Sequence, residues 1–253
     1  MVPYATRFAE IYDEEWSRFA LKTAPKILDL YRREPGAPAE PAVLDLCCGT
    51  GRMARYFLDH GCRVTGVDRA QAMLDRAVLH CAPHIDAGRA AFHRADVAGF
   101  RVPAPVDLCV SAYDALNHLP DMAALLRCLD HAAHAVRRGG MFVFDLKTRR
   151  GLAGWNSMSV TERPGWTLVT RGVYDGGDTA YRRLTGFIRD EDGRFTGFEE
   201  SMTEHYFDPD AVAGHLRSNG WPDVYFALSG DLGRPAADIA DASRIFVIAR
   251  RGS

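Results

Sequence analysis

Two carboxylates and two glycines carry the most specific chemistry in this chain. Through Val43-Leu44-Asp45-Leu46-Cys47-Cys48-Gly49-Thr50-Gly51-Arg52-Met53-Ala54 an apolar strand runs into a Gly-rich turn and straight on into a helix. Such a turn brings a nucleotide against bare backbone. Gly49 and Gly51 have no Cβ, so a ligand can lie against their main chain and they can take φ values other residues avoid. The pattern G-x-G-x-x-A alone also fits a dinucleotide site. Asp45, four residues before Gly49, decides against it. Its carboxylate would face a pyrophosphate with like charge, whereas a ligand bearing an ammonium and a sulfonium would be attracted. The next apolar run ends in Gly66-Val67-Asp68. An acid there can accept hydrogen bonds from both hydroxyls of an adenosine ribose. The same carboxylate can also cap the helix that follows.

Asp45-x-x-x-Gly49-x-Gly51 followed by Asp68 resembles the class I S-adenosylmethionine-dependent methyltransferases, and the resemblance extends over nearly the whole chain in order. It implies S-adenosylmethionine as cofactor. It also implies an α/β fold, a Rossmann-like doubly wound seven-stranded sheet, mostly parallel, with an antiparallel last hairpin. Carried over residue by residue, the cofactor set is Asp45, Cys47, Gly49, Thr50 and Gly51 at the turn, then Asp68, Arg69 and Met73, then Asp96 and Val97 at the adenine, and Ser111. An N-terminal helical cover supplies Tyr12, Asp13 and Trp16. Asp96 could instead form a turn, and the three cover residues are equally suited to docking a helix on the sheet.

The elements that must position these groups follow in sequence. Residues 1–34 read as helical, with Phe8, Ile11, Tyr12 and Trp16 at helical spacing and a restart where Thr23 and Pro25 supply a cap and a first-turn proline. A breaker-rich linker, Gly36 to Pro41, leads to the first strand. Helices are expected over Arg52–His60, Ala70–His80 and from Asp121 to Val136, the last closed by Gly139-Gly140 with Arg137 and Arg138 at its negative end. Strands are expected over Cys62–Val67, Ala90–Arg94, Val106–Ala112 and Met141–Leu146. Residues 151–206 then change character. Apolar and polar residues alternate through Thr167–Tyr174, Tyr181–Ile188 and Phe195–Met202, separated by hairpin signals, which predicts an inserted antiparallel β cap. Asp208-Pro209 opens a last helix to Ser218, and Val224–Leu228 and Ile245–Ala249 close the sheet. Residues 1–150 and 207–253 thus form the core and 151–206 a cap that encloses a substrate pocket, a feature of small-molecule methyltransferases including the sugar amine N-methyltransferases of natural-product pathways. A closed pocket suits a small acceptor better than a polymer.

Methyl transfer is an in-line displacement on an electrophile already activated by its own charge, so alignment is the enzyme's main contribution. A hydroxyl acceptor gains from a general base; a neutral amine needs none. His118, just past the fourth strand, and His205, where the cap chain returns, are the two histidines placed for that duty. Tyr113 is the third catalytic candidate, and Asp114, Asn117 and Tyr206 are candidates for contacting substrate. The stretch Tyr113 to His118 departs from the Ser-rich, Gly-containing segment usual in the sugar amine branch, which leaves the acceptor open. An NAD(P)-dependent oxidoreductase and a non-catalytic S-adenosylmethionine-binding protein remain the alternatives.

With 253 residues, 47% hydrophobic and 25% charged, the chain can bury a full core, and its formal charge of −2 gives no reason to expect nucleic acid or another polyanion. The pairs Arg137-Arg138, Arg149-Arg150 and Arg182-Arg183 read as solvated surface charge. No apolar run approaches the roughly 18 residues of a membrane span, so a cytoplasmic protein, monomer or homodimer, is expected. The six cysteines show no C-x-x-C pairing, so neither a metal site nor a disulfide framework is expected.

Overall fold

The computed structural model describes residues 6–174 and 176–252. The first five residues of the expected helical stretch lie outside that range. Seven strands form one sheet: β1 (Ala42–Leu46), β2 (Arg63–Asp68), β3 (Ala90–Arg94), β4 (Val106–Ser111), β5 (Val136–Lys147) and, late in the chain, β10 (Asp223–Ala227) and β11 (Arg244–Arg250). Their order is β10-β11-β5-β4-β1-β2-β3, and only the pairings of β11 are antiparallel. The order reverses between β1 and β4, so the loops after these strands diverge and leave a crevice at their carboxyl ends.

Helices cover both faces: α1 (Thr6–Glu15), α2 (Ser17–Arg32), α3 (Arg52–Asp59), α4 (Gln71–Asp86), α5 (Met122–Ala135), the short α6 (Arg149–Ala153) and α7 (Pro209–Ser218). The two-residue period of β5 sorts its side chains between them. Phe142, Phe144 and Leu146 pack with Leu125, Leu129, Leu216 and Trp221, while Met141 and Val143 pack with Ile27, Leu28 and Phe57. Each such large apolar side chain contributes about 1.5–3 kcal/mol on full burial.

That magnitude explains where helix signals mislead. Thr23 and Pro25 do not restart a helix; both lie inside α2, and the break falls at Trp16. Six residues of α2, Thr23, Ala24, Ile27, Leu28, Leu30 and Tyr31, are buried, and their packing outweighs the roughly 3 kcal/mol an interior proline costs. Helix α4 likewise runs on past His80 to Asp86, because Cys81 continues its buried face. Gly139-Gly140 does not close α5. Strand β5 already begins at Val136, and the two glycines sit in an irregularity between the Val106–Val136 and Leu108–Met141 pairings. There a side chain on Gly140 would meet the Asp107 carbonyl at 2.7 Å. Arg137 therefore pairs with Asp107 at 2.5 Å instead of serving a helix end.

The second sheet has four antiparallel strands in sequential order: β6 (Met158–Arg163), β7 (Trp166–Tyr174), β8 (Thr179–Arg189) and β9 (Phe195–His205). Three were expected. Edge strand β6 carries no buried side chain, so it lacks the alternation by which the others are read. Helix α1 joins cap to core, since Phe8 and Ile11 pack with Met73 below and Trp166, Leu168 and Leu184 above.

Candidate active site

The turn after β1 is built from residues held at positive φ: Cys47 at 56°, Gly49 at 53° and Gly51 at 75°. A side chain on Gly51 would come within 2.8 Å of the Ala77 Cβ, so glycine is what lets α4 pack here. On Gly49 it would meet nothing nearer than Tyr12, at 3.9 Å, so that side of the turn is open. One oxygen of Asp68 accepts from the Gly49 N–H and the other from the Ala70 N–H, each at 2.9 Å. Asp68 thus ties the turn to the start of α4, and each oxygen keeps lone-pair capacity for a hydroxyl. Burial raises its pKa. Asp45 is 2% exposed, and its Oδ2 has no partner. Burial, and then the neighbouring charge of Asp68, push it up to about 8. A buried carboxyl oxygen without a donor is costly unless a ligand supplies one.

Three cavities meet at this crevice. The largest, about 370 Å³, is lined by Cys47, Gly49, Asp68, Arg69, Met73, Asp96 and Val97 on the core side and by Ser201, Thr203 and His205 of β9 on the cap side. A second, about 50 Å³, holds Asp45, Thr50, Trp16 and Phe19. The third, about 90 Å³, lies toward the cap between Trp155, Asp114, Lys147, Arg182 and Glu204. Tyr12 and Tyr113 line all three, and His118 and Met202 line both the first and the third. Asp96 also accepts from the Ala98 N–H at 2.8 Å, so it forms a turn as well as lining the cavity.

Asp13 does not reach the cavities. It takes two hydrogen bonds from Arg52, at 2.7 and 2.6 Å, and contacts His80 at 3.0 Å, while His80 donates to the Thr50 carbonyl at 2.7 Å. Against the cost of burial, the Arg52 bonds hold its pKa down. The role of this trio is to fasten α1 over the glycine turn, a role for His80 that its place on a helix face does not suggest. Gly51 and Ser111 line none of these three cavities; Gly51 serves packing, and the Ser111 hydroxyl is buried without a partner.

Asn117 and Tyr206, expected to meet substrate, are placed elsewhere. Asn117 is fully buried; it donates to the His205 carbonyl at 2.7 Å and accepts from the Lys147 N–H at 2.9 Å. It pins the loop after β4 to β5 and β9. Tyr206 lines none of the three cavities; it packs on the cluster of Leu152, Trp155 and Ala180, under the Arg149 guanidinium, 3.9 Å from its ring. His205 lines the large cavity with its ring 3.4 Å from the Thr179 hydroxyl, and burial lowers its pKa.

His118 is more tightly fixed. Its Nδ1 lies 2.8 Å from the Thr203 carbonyl, which can only accept, so Nδ1 carries the hydrogen. In the neutral ring Nε2 is then the bare nitrogen, and it stands 3.7 Å from Glu204. Burial lowers its pKa, against the pull of Asp114.

Around it lies a buried network that the sequence hides. Tyr113 and Asp114 both adopt left-handed φ, 69° and 54°, which turns Asp114 into the site while Tyr113 stacks on Phe19 at 4.6 Å. Lys147 bonds Asp114 and, at 2.9 Å, Glu204; Arg244 bonds Asp114 at 2.8 Å and also Asp145. Against the cost of burial, Arg244 and Lys147 hold Asp114 well below the usual carboxylate range. Glu204 is pushed up by burial and by the charge of Asp114. Asp145 and Lys147 stand two apart at the end of β5, a charged pair at a period-two spacing that marks one face of a strand. Glu204 belongs to β9, which runs on through His205 beyond the expected end at Met202.

An orphaned buried carboxyl at the turn, an acid at the end of β2 and an open Gly49 fit an adenosine ligand that carries positive charge. Residues 43–140 match the family model described as a methyltransferase domain. Residues 43–140 thus carry a methyltransferase domain, and the strand order around them is that of the class I S-adenosylmethionine-dependent fold, for which S-adenosylmethionine is the cofactor. Among solved structures it is similar to a S-adenosylmethionine-dependent methyltransferase from Clostridium acetobutylicum, at 19% identity and a TM-score of 0.79 over 98% of both chains. It is also similar to the sugar N-methyltransferase KedS8 from Streptoalloteichus, at 18% identity and a TM-score of 0.76 over 100% of this chain and 95% of that one. Likeness at this identity concerns the fold. The trans-aconitate 2-methyltransferase of Streptomyces avermitilis is 34% identical over 100 residues, 38% of this chain. The chain thus matches only 37% of that curated relative's length. No helix among the described residues is long and apolar enough to cross a membrane.

Proposed function

We propose that this protein transfers a methyl group from S-adenosylmethionine to a nitrogen or oxygen of a small molecule. The observation that carries this reading is the meeting of the three cavities at Tyr12 and Tyr113. Asp68 and Asp96 would hold the adenosine, and Asp45, Thr50 and Trp16 the amino-acid end. When bound, the cofactor supplies an electrophilic methyl group. Cap strand β9 parts the two larger cavities by its alternation, with Ser201, Thr203 and His205 toward the first and Glu204 toward the third. The acceptor would enter the cap-side cavity, with residues 151–206 excluding water. His118 lines both cavities with Nε2 unprotonated, and it serves as the proton acceptor when the nucleophile is a hydroxyl. The relatives support the small size of the acceptor, since they include a sugar N-methyltransferase and a trans-aconitate 2-methyltransferase.

The test is calorimetric titration with S-adenosylmethionine and S-adenosylhomocysteine, wild type beside Asp68→Ala. Micromolar binding, weakened at least tenfold, or about 1.4 kcal/mol, by the substitution is expected. No heat from either ligand, with a response to NAD or NADP, would overturn the reading.

A further inference from the structure

Two half-buried cations, Lys147 and Arg182, line the cap-side cavity, and a third, Arg244, lies behind Asp114; the three are not equivalent. Lys147 is bridged by Asp114 and Glu204, and Arg244 by Asp114 and Asp145. Arg182 has no such partner. Strand alternation puts Arg182 on the inner face of β8 with Ala180 and Leu184, while Tyr181 and Arg183 face out, Arg183 paired with the exposed Glu199. The Arg182-Arg183 pair is therefore one surface charge and one inward charge. Inside, the Arg182 guanidinium lies over the Trp155 ring, 4.1 Å from its centroid. Its Nε is buried and bonds nothing, and among the described residues no carboxylate forms an ion pair with it.

A half-buried guanidinium whose Nε is fully buried and which no carboxylate bonds is costly, and a stacked, planar one presents its edge in a fork that matches two oxygens in one plane. The two acids nearby, Glu204 and Asp114, act on it through their charge, but neither bonds it. Asp114 is committed to Lys147 and Arg244, and Glu204 shares Lys147. Burial lowers the Arg182 pKa even against the pull of Glu204 and Asp114. A phosphate dianion would call for a second free cation, and both neighbours are already neutralised.

Resting on the methyltransferase reading above, we propose that the acceptor carries a carboxylate, which Arg182 binds against Trp155 while the nucleophilic end of the molecule faces His118. The acceptor class is thus a small amino or hydroxy acid rather than a neutral or purely cationic amine.

The test uses the protein saturated with S-adenosylhomocysteine, whose uptake is measured first. Butyrate, butyramide, butylamine and inorganic phosphate are then titrated by ligand-observed NMR. Butyrate is expected to bind at least tenfold tighter than butyramide. In Arg182→Met that advantage is expected to vanish, and in Arg182→Lys, which keeps the charge but not the fork, to shrink. Equal binding of acid and amide overturns the proposal. So does absence of butyrate binding at tens of millimolar, a preference for butylamine or phosphate, or an acid preference that survives Arg182→Met. The comparison of acid and amide in the wild type stands even if the variants misfold. Failure of S-adenosylhomocysteine to bind would instead bring down the parent reading.

Discussion

Around the glycine turn, the core-side groups lining the large cavity come from two stretches of chain, residues 47–97 and 112–120, together with Tyr12, and the first stretch is held by main-chain bonds such as those from Gly49 and Ala70 to Asp68. On the other side of Tyr113 the cap-side cavity draws on α1, the loop after β4, the end of β5, and two cap strands, and charged side chains hold one another there. A site held mainly by main-chain bonds is less sensitive to its distant neighbours. One made from side chains brought together across the fold depends on every member, because each buried charge is stable only while its partner remains. The cofactor half should therefore tolerate changes in the cap, and the acceptor half should not.

The largest effect is expected where the halves touch. His118→Ala should lower turnover of a hydroxyl acceptor about 100- to 10,000-fold while leaving S-adenosylhomocysteine affinity unchanged, as read by product release and calorimetry. With a neutral amine acceptor the rate should hardly move, so the same variant distinguishes oxygen from nitrogen methylation. Because burial lowers the His118 pKa, the base stays deprotonated through its ordinary value of 6.5, and the rate should fall only below it. The same shift means stability is complete above pH 6.5 and declines as the pH falls below that value. A loss of cofactor affinity in His118→Ala would erase the proposed separation between the two halves.

Next comes the charge network itself. Lys147→Met leaves Asp114 and Glu204 facing each other in a buried site, and about 3–5 kcal/mol of unfolding free energy should be lost in a denaturant titration. Adding Glu204→Gln should return much of that loss, since one carboxylate remains and Arg244 still pairs with it. If the double variant is no better than the single one, the carboxylates are not the source of the cost.

This division also explains what the sequence discloses. The seven-stranded sheet is legible because its strands are apolar runs between helices of 3.6-residue period, and the cofactor half because Asp45, Gly49, Gly51 and Asp68 fall within 24 residues of one another. Arg182, Lys147, Glu204 and Arg244 carry no local mark. Their neighbours in sequence are ordinary strand residues, and only the pairing of β8 with β9 and of β5 with β11 brings them together. Asn117 shows the converse error. It stands in the loop where ligands bind, yet its amide is fully used in holding backbone, a difference that residue type and position do not reveal.

The smallest effect tests the latch between α1 and the glycine turn, which belongs to the cofactor half but is made of side chains. Asp13→Asn replaces a carboxylate that binds Arg52 through both oxygens and contacts His80. Arg52 is partly exposed, at 38%, so the expected loss is about 1 kcal/mol at neutral pH. The Asp13 pKa is lowered in the folded chain, so its contribution is present above the ordinary 3.8 and disappears as the pH falls through the folded value. Wild type and Asp13→Asn should differ by a constant amount at neutral pH and converge in strong acid, which paired urea titrations at several pH values would read. Tyr12 sits on the same helix and lines all three cavities, so loosening the latch should also speed cofactor dissociation in a stopped-flow chase. A change in stability without a change in that rate would mean that α1 merely packs on the sheet and does not cover the cofactor.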